Sequence, residues 1–318
     1  SIFNGSKAFS DANKAISTEE LMLTYHQRSS LLQDSPISDI IFDKKSSLWI
    51  SGRSYLWKWD LKERTMQRFV LSQRQGLENS NYKLQLHKGY IFIAGDSDVF
   101  RVSLLSLKVH KYEVSREDGK TLGLLLSEKG ELFLVRRQSV YRFSSSLDNL
   151  VEIYRGEIFS DQDVSQVVYL PSSSGFVGAG RSLLERVELL ANGEVKRGET
   201  LRTKFKIENI FRSDKSMYLN TRFTVLRLND YGSIVQTIPV QGERRIAAME
   251  ISENYHTYLF SDRLFEVHNI RDSKTGYYHL KVGRVRKAGK MQLFLPFVAV
   301  ILDGLPRVFQ LPGHWLSE

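Results

Sequence analysis

The sequence predicts an all-β fold, a seven-bladed β-propeller of four-stranded antiparallel blades whose ring is closed by an N-terminal strand that completes the last blade. Three observations lead there: an apolar–aromatic triplet that recurs about every 40 residues, a second strand pattern that follows it, and turn chemistry between strands. The triplets are Leu48-Trp49-Ile50, Ile91-Phe92-Ile93, Leu132-Phe133-Leu134, Gly175-Phe176-Val177, Met217-Tyr218-Leu219, Thr257-Tyr258-Leu259 and a weaker Val298-Ala299-Val300. Their central residues are 43, 41, 43, 42, 40 and 41 positions apart. Four strands plus their turns need a period of about 40–45 residues, as in a propeller blade. A sandwich would not repeat with such even steps, and six or eight blades are the neighbouring alternatives.

The second pattern brackets one charged or polar residue with apolar ones: Leu56-Trp57-Lys58-Trp59, Val99-Phe100-Arg101-Val102, Val140-Tyr141-Arg142-Phe143, Val225-Leu226-Arg227-Leu228, Leu264-Phe265-Glu266-Val267 and Val308-Phe309-Gln310-Leu311. The fourth repeat departs from it with Leu184-Glu185-Arg186-Val187. Aromatic and β-branched content favours strands. Asn192-Gly193 and Asp230-Tyr231-Gly232 supply hairpin turns. Blade one should therefore run over Ile37–Phe42, Leu48–Ile50, Tyr55–Asp60 and Met66–Leu71. The seventh repeat ends without an outer strand, and Leu21–His26 reads as the strand that supplies it. Residues 1–18 read as a linker or flexible arm, and 19–318 as one propeller domain.

Composition sets the remaining bounds. The 318 residues are 42% hydrophobic and 25% charged, as in ordinary soluble proteins, and contain no cysteine. Disulfides, thiolate metal sites and cysteine nucleophiles are thereby excluded. No run of about 18 apolar residues is present, so no membrane-spanning helix is expected. A net charge of +9 suits anionic partners, and it equally suits plain solubility. The cysteine-free chain, which begins at Ser1, points to an extracytoplasmic location, periplasmic or at the cell surface.

Ile37-Ser-Asp-Ile-Ile-Phe-Asp43, running into Leu48-Trp49-Ile50-Ser51-Gly52, resembles the repeats of two-component-regulator propellers. The resemblance lies in the first blade and implies a ligand- or protein-binding platform, since propellers host unrelated functions.

Motifs for chemistry are sparse. His256, His268 and His279 share one repeat, but their spacing is not that of a helical metal site, and scattered surface histidines are the preferred reading. Asp96-Ser97-Asp98 and Asp161-Gln162-Asp163 lack the remaining ligands of a calcium loop and read as solvated turns. Gly178-Ala179-Gly180 has no following helix. Asn4-Gly5-Ser6 fits a glycosylation sequon. No cofactor and no metal are expected.

The binding residues expected are arginines. Arg53, Arg136, Arg137, Arg181, Arg222 and Arg263 fall in the loops between second and third strands, and Arg245 and Arg286 in the links between blades, which open on the same side. The guanidinium fork pairs with carboxylate or phosphate, and a rosette of like charges focuses potential. The reading that follows is a non-catalytic interaction scaffold whose Arg-rich face docks an acidic segment of a protein partner. The alternative is a sensor that captures a small anion or glycan in the central channel, followed by a propeller lyase or hydrolase. Nucleic acid is not expected as a partner, because no aromatics recur among the arginines to stack bases.

Overall fold

The computed structural model describes residues 15–71, 82–170, 175–213, 216–229, 231–240, 244–283 and 285–312. Asn4 lies outside them, as do most of the expected N-terminal arm and His314. Among the described residues the chain forms seven antiparallel sheets in succession, the blades of a β-propeller. Blade one is Asp39–Phe42, Ser47–Ser51, Tyr55–Asp60 and Thr65–Val70, within two residues of the strands read from the sequence. By contact the chain divides into two compact units. Unit one comprises Ser1–Ser72, Arg222–Val225 and Ile238–Glu318, and unit two Gln73–Thr221 and Leu226–Thr237.

Unit one holds blades one, six and seven. Its distinctive feature is the way the last blade is completed. Ala288–Phe294, Phe297–Leu302 and Leu305–Gln310 come from the C-terminal end, and the fourth strand, Glu19–Leu21, from the N-terminal one. Glu19, Glu20 and Leu21 pair antiparallel with Gln310, Phe309 and Val308, and Glu20 forms a forked ion pair with Arg307. Just before it, Ile16 and Ser17 pair parallel with Tyr278 and His279 and add a fifth strand to blade six.

The closing strand is shorter and earlier than the expected Leu21–His26, because Thr24 starts a helix, Tyr25–Gln33. Thr24 and Gln27 form a capping box: the Thr24 hydroxyl accepts from the Gln27 N–H at 3.3 Å, and Gln27 Oε1 accepts from the Thr24 N–H at 2.9 Å. Two otherwise orphaned donors are satisfied there, which outweighs the strand-like pattern of Leu21–Tyr25. The helix ends at Asp34, a buried carboxylate that accepts from the Ser54 and Tyr55 N–H groups and from the Trp57 indole at 2.9 Å. Gly52 is required beside it, since a Cβ there would stand 1.9 Å from Asp34 Oδ2.

Strand alternation buries both faces of the middle strands. One core in unit one joins Ile40, Leu48, Trp57 and Trp59 of blade one to Ala299, Ile301 and Val308 of blade seven. Another joins Leu259, Phe265 and Val267 of blade six to Met291, Val300 and Phe309 of blade seven. Unit two holds blades two to four and, apart from residues 222–225 and 238–239, blade five. It repeats the arrangement, with Phe133 and Val135 packed on Tyr169 and Phe176, and Leu170 and Val177 on Ile210 and Leu219.

Trp57 is 5% exposed. Trp57→Ala should cost about 3–5 kcal/mol through the cavity it leaves. Trp57→Phe, which strips one donor from the buried Asp34, should cost about 1–3 kcal/mol. Chemical denaturation of both variants checks this; an unchanged midpoint for the alanine variant would contradict the packing described.

Candidate functional site

The expected arginines divide by unit. In unit one Arg53, Arg222, Arg245, Arg263 and Arg286 are all exposed at loops and links. Arg222 lies over the Phe223 ring at 5.3 Å, and Arg263 donates to the Val282 carbonyl at 3.0 Å. In unit two Arg181 is exposed, but the other two serve as internal braces. Arg136 has no exposed surface; it donates to the Ser115 carbonyl at 2.9 Å, the Gly119 carbonyl at 2.8 Å and the buried Asp118 at 3.4 Å. Arg137 donates to the Gln162 and Val164 carbonyls at 3.0 and 2.7 Å. These two guanidinium groups satisfy the backbone of the links that enter and leave blade three.

Titratable groups concentrate elsewhere in unit one, on one face of blade six. Its strands are Ile246–Ile251, Tyr255–Phe260, Leu264–Asn269 and Thr275–His279. The register sets His256 opposite His268 and Tyr258 opposite Glu266; on the next strand Thr275 faces His268 and Tyr277 faces Glu266. Side chains alternate along a strand, so all six lie on one face. The intervening Leu259, Phe265, Val267 and Tyr278 lie on the other, in the core shared with blade seven. The histidine rings are 6.4 Å apart; His268 Nδ1 is 2.8 Å from Thr275 Oγ1, and His256 Nδ1 is 3.4 Å from the Tyr258 hydroxyl. His279 sits at the far end of the same face, exposed and opposite Leu264. The repeat thus brings together two of the three histidines that the sequence placed in it.

Glu266 is the chemically distinctive member. It is half-buried, and desolvation pushes its carboxyl up to about 7, with the Arg244 charge restraining the rise. A carboxyl that is half ionised near neutral pH, on a face with two imidazoles and two phenols, can take up and return protons. The sequence held a signal for it. At the third position of the recurrent strand pattern stand Lys58, Arg101, Arg142, Arg186, Arg227 and Gln310; in blade six that position alone is acidic.

The aspartate turns have internal partners: Asp96 accepts from the Thr121 N–H at 2.8 Å, Asp98 pairs with Lys111 at 2.7 Å, and Asp161 accepts from the Asp163 N–H at 2.9 Å. Among the described residues no group of three His, Asp or Glu side chains is placed to hold a metal ion.

No protein-family model matches the sequence, and no curated protein matches it. The fold is similar to that of solved propellers. A streptogramin B lyase superposes with a TM-score of 0.67 at 12% identity, covering 95% of this chain and 99% of that one. A catalytically inactive histidine-to-alanine variant of virginiamycin B lyase from Staphylococcus aureus, with quinupristin, and its selenomethionine form each give 0.65 at 11% identity, covering 93% and 99%. None of the three is a two-component-regulator propeller. The expectation of a non-catalytic scaffold docking an acidic partner is corrected here: these propellers, matched over nearly the whole chain, are lyases. Nor can Arg136, sealed against the link that enters blade three, take part in a docking face.

The raised carboxyl of Glu266 has a consequence for stability. Its ordinary value is about 4.3. The folded chain therefore keeps a proton that the unfolded chain gives up, and stability falls as pH rises from about 4.3 to about 7, then levels. Glu266→Gln removes that dependence. The variant should melt above the wild type at about pH 9 and together with it at about pH 4; calorimetry at both values checks this.

Proposed function

We propose that the chain is an enzyme of the lyase class, performing an elimination from the polar face of blade six. An elimination needs a base to take a proton from carbon and an acid to protonate the departing group. Glu266 in its ionised form is the base. The C–H electron pair becomes the new double bond, the bond to the leaving group breaks, and the leaving group takes a proton from His268. Thr275 fixes the ring of His268 through Nδ1, which directs Nε2 to the reacting group. His256 and Tyr258 extend the same proton-bearing face.

The observation that carries this reading is the single carboxyl at a repeat position otherwise filled by cations or an amide, held near neutrality beside two histidines. The lyase activity named for the similar folds supports the reaction class, and the inactive histidine variant supports a histidine in the chemistry. The substrate class that suits such a site has a C–H made acidic by an adjacent carbonyl group.

Quinupristin is the first substrate to test, followed by mass spectrometry. An elimination adds nothing, so the products together have the mass of the substrate, whereas hydrolysis adds a water. Conversion without added mass is expected, with kcat/KM falling about tenfold per pH unit below about 7 as Glu266 protonates. Glu266→Gln and His268→Ala should each lose about 100-fold or more, within the range of general acid–base effects. Absence of turnover, or full activity in both variants, would overturn the reading.

A further inference from the structure

The inner strands of blades six, seven and one carry a second polar cluster, separate from the face just described. Glu250 pairs in register with Thr257 and so points away from His256 and Glu266. It reaches the inner strand of blade seven, where its Oε2 accepts from the Leu293 backbone N–H. That strand is not regular: the ladder shifts between Ala288 and Met291, so Gly289 and Lys290 bulge out of register. A bulge re-aims a side chain. Here it carries the Lys290 ammonium to 2.6 Å from Asp39 Oδ1 of blade one, and its charge also bears on Glu250. Gly289 suits the bulge, since a Cβ there would lie 3.1 Å from the Ile301 Cβ.

The three groups differ in state. Asp39 is buried, while the Lys290 side chain remains 37% exposed. Glu250 is enclosed by protein but retains some accessible surface, and burial pushes its carboxyl up to about 8, against the opposing pull of Leu293 and Lys290. At neutral pH it is therefore a carboxylic acid and a hydrogen-bond donor, with Oε1 carrying the proton because Oε2 accepts from Leu293. Lys290 has further N–H donors beyond the one directed at Asp39. An ammonium, one carboxylate and one neutral acid sum to no net charge, which suits a polar acceptor.

We infer that Lys290 and Glu250 form a binding site for a carbonyl-type oxygen, the amide, ester or carboxyl group of a small ligand approaching along the inner strands of unit one. The site is independent of the elimination proposed above and is read without it. Asp39 orients the lysine, the bulge presents it, and Leu293 fixes which oxygen of Glu250 faces the ligand.

The test is a titration followed by NMR of the full chain, observing the Leu293 backbone amide and the 13C-labelled glutamate carboxyl carbons. The probes are N-acetylglycinamide and acetate. Saturable shifts at Leu293 and Glu250 are expected at neutral pH, and the probe that binds more tightly identifies an amide or a carboxylate as the preferred group. Affinity should fall about tenfold between pH 7 and pH 9 as Glu250 loses its proton. Lys290→Met should weaken binding about tenfold or more. Glu250→Gln, which keeps both a donor and the acceptor for Leu293, should bind as the wild type does but without the pH dependence. Saturation by neither probe, or an unchanged affinity in a folded Lys290→Met variant, would overturn the proposal.

Discussion

The pairing of Glu19–Leu21 with Leu305–Gln310 joins the two ends of the chain, and the rest of unit one depends on it. Blade seven has only three strands of its own, and without the fourth the strand Leu305–Gln310 would present an unpaired edge. The same short segment does more than fill that edge. Two residues earlier it joins blade six through Ile16 and Ser17, with Thr18 donating to the His279 carbonyl at 3.1 Å. A few residues later it becomes the capped helix that delivers Asp34 to blade one. One strap of about 20 residues thus touches all three blades that carry the polar face and the inner-strand cluster. Contacts between residues nearly 300 positions apart cost loop-closure entropy that grows only slowly with length, so a few ladder hydrogen bonds and the Glu20–Arg307 pair can hold the ends together.

A second constraint recurs within the blades: each link entering a blade must be held to the strands it precedes. The second residue of the recurrent strand pattern does this. In blade one the Trp57 indole donates to Asp34 of the preceding link, and in blade three the Tyr141 hydroxyl donates to Asp118 at 2.6 Å. Blade four reverses the polarity. Glu185 stands at the aromatic position and accepts from the Ser160 N–H and hydroxyl, both at 2.9 Å. In blades two, five, six and seven the position is Phe100, Leu226, Phe265 and Phe309, buried apolar anchors. The departure of the fourth repeat is therefore the same anchor with donor and acceptor exchanged. Arg136 belongs to this system too, since Asp118 already serves Tyr141 and Arg155 and needs the buried cation. Breaking such a buried pair leaves an uncompensated charge, which is costly.

These two constraints explain what the sequence could and could not reveal. The blades were legible because strand alternation and the 40-residue period are local, and blade one emerged almost residue for residue. The completing strand was legible as a need, since the last repeat lacked an outer strand, but its position was not. Leu21–Tyr25 alternates like a strand, and only the Thr24–Gln27 box, a three-residue signal, marks the helix that begins there. The arginines show the opposite limit. Loop positions can be counted from a repeat, but whether a guanidinium faces solvent, like Arg53, or the backbone of a neighbouring link, like Arg136, depends on tertiary partners. The proton-bearing face lay between these cases. His256 and His268 are 12 positions apart and look unrelated until the register of two adjacent strands sets them opposite one another.

The sign of the charge at position 266 sets this face of blade six apart from the equivalent faces of the other blades. At the equivalent positions the cations have uses that need only a long, flexible stem: Arg101 reaches Asp148 at 2.7 Å, Arg142 reaches Glu131 at 3.5 Å, and Lys58 lies over the Trp49 ring. A glutamate is shorter, and on this face its hydration is partly lost while the Arg244 charge only restrains the resulting shift. A lysine or glutamine there would avoid the penalty of holding a carboxyl near neutrality. Stability alone therefore disfavours Glu266, and a residue held against stability next to two histidines suits the proton transfer proposed above.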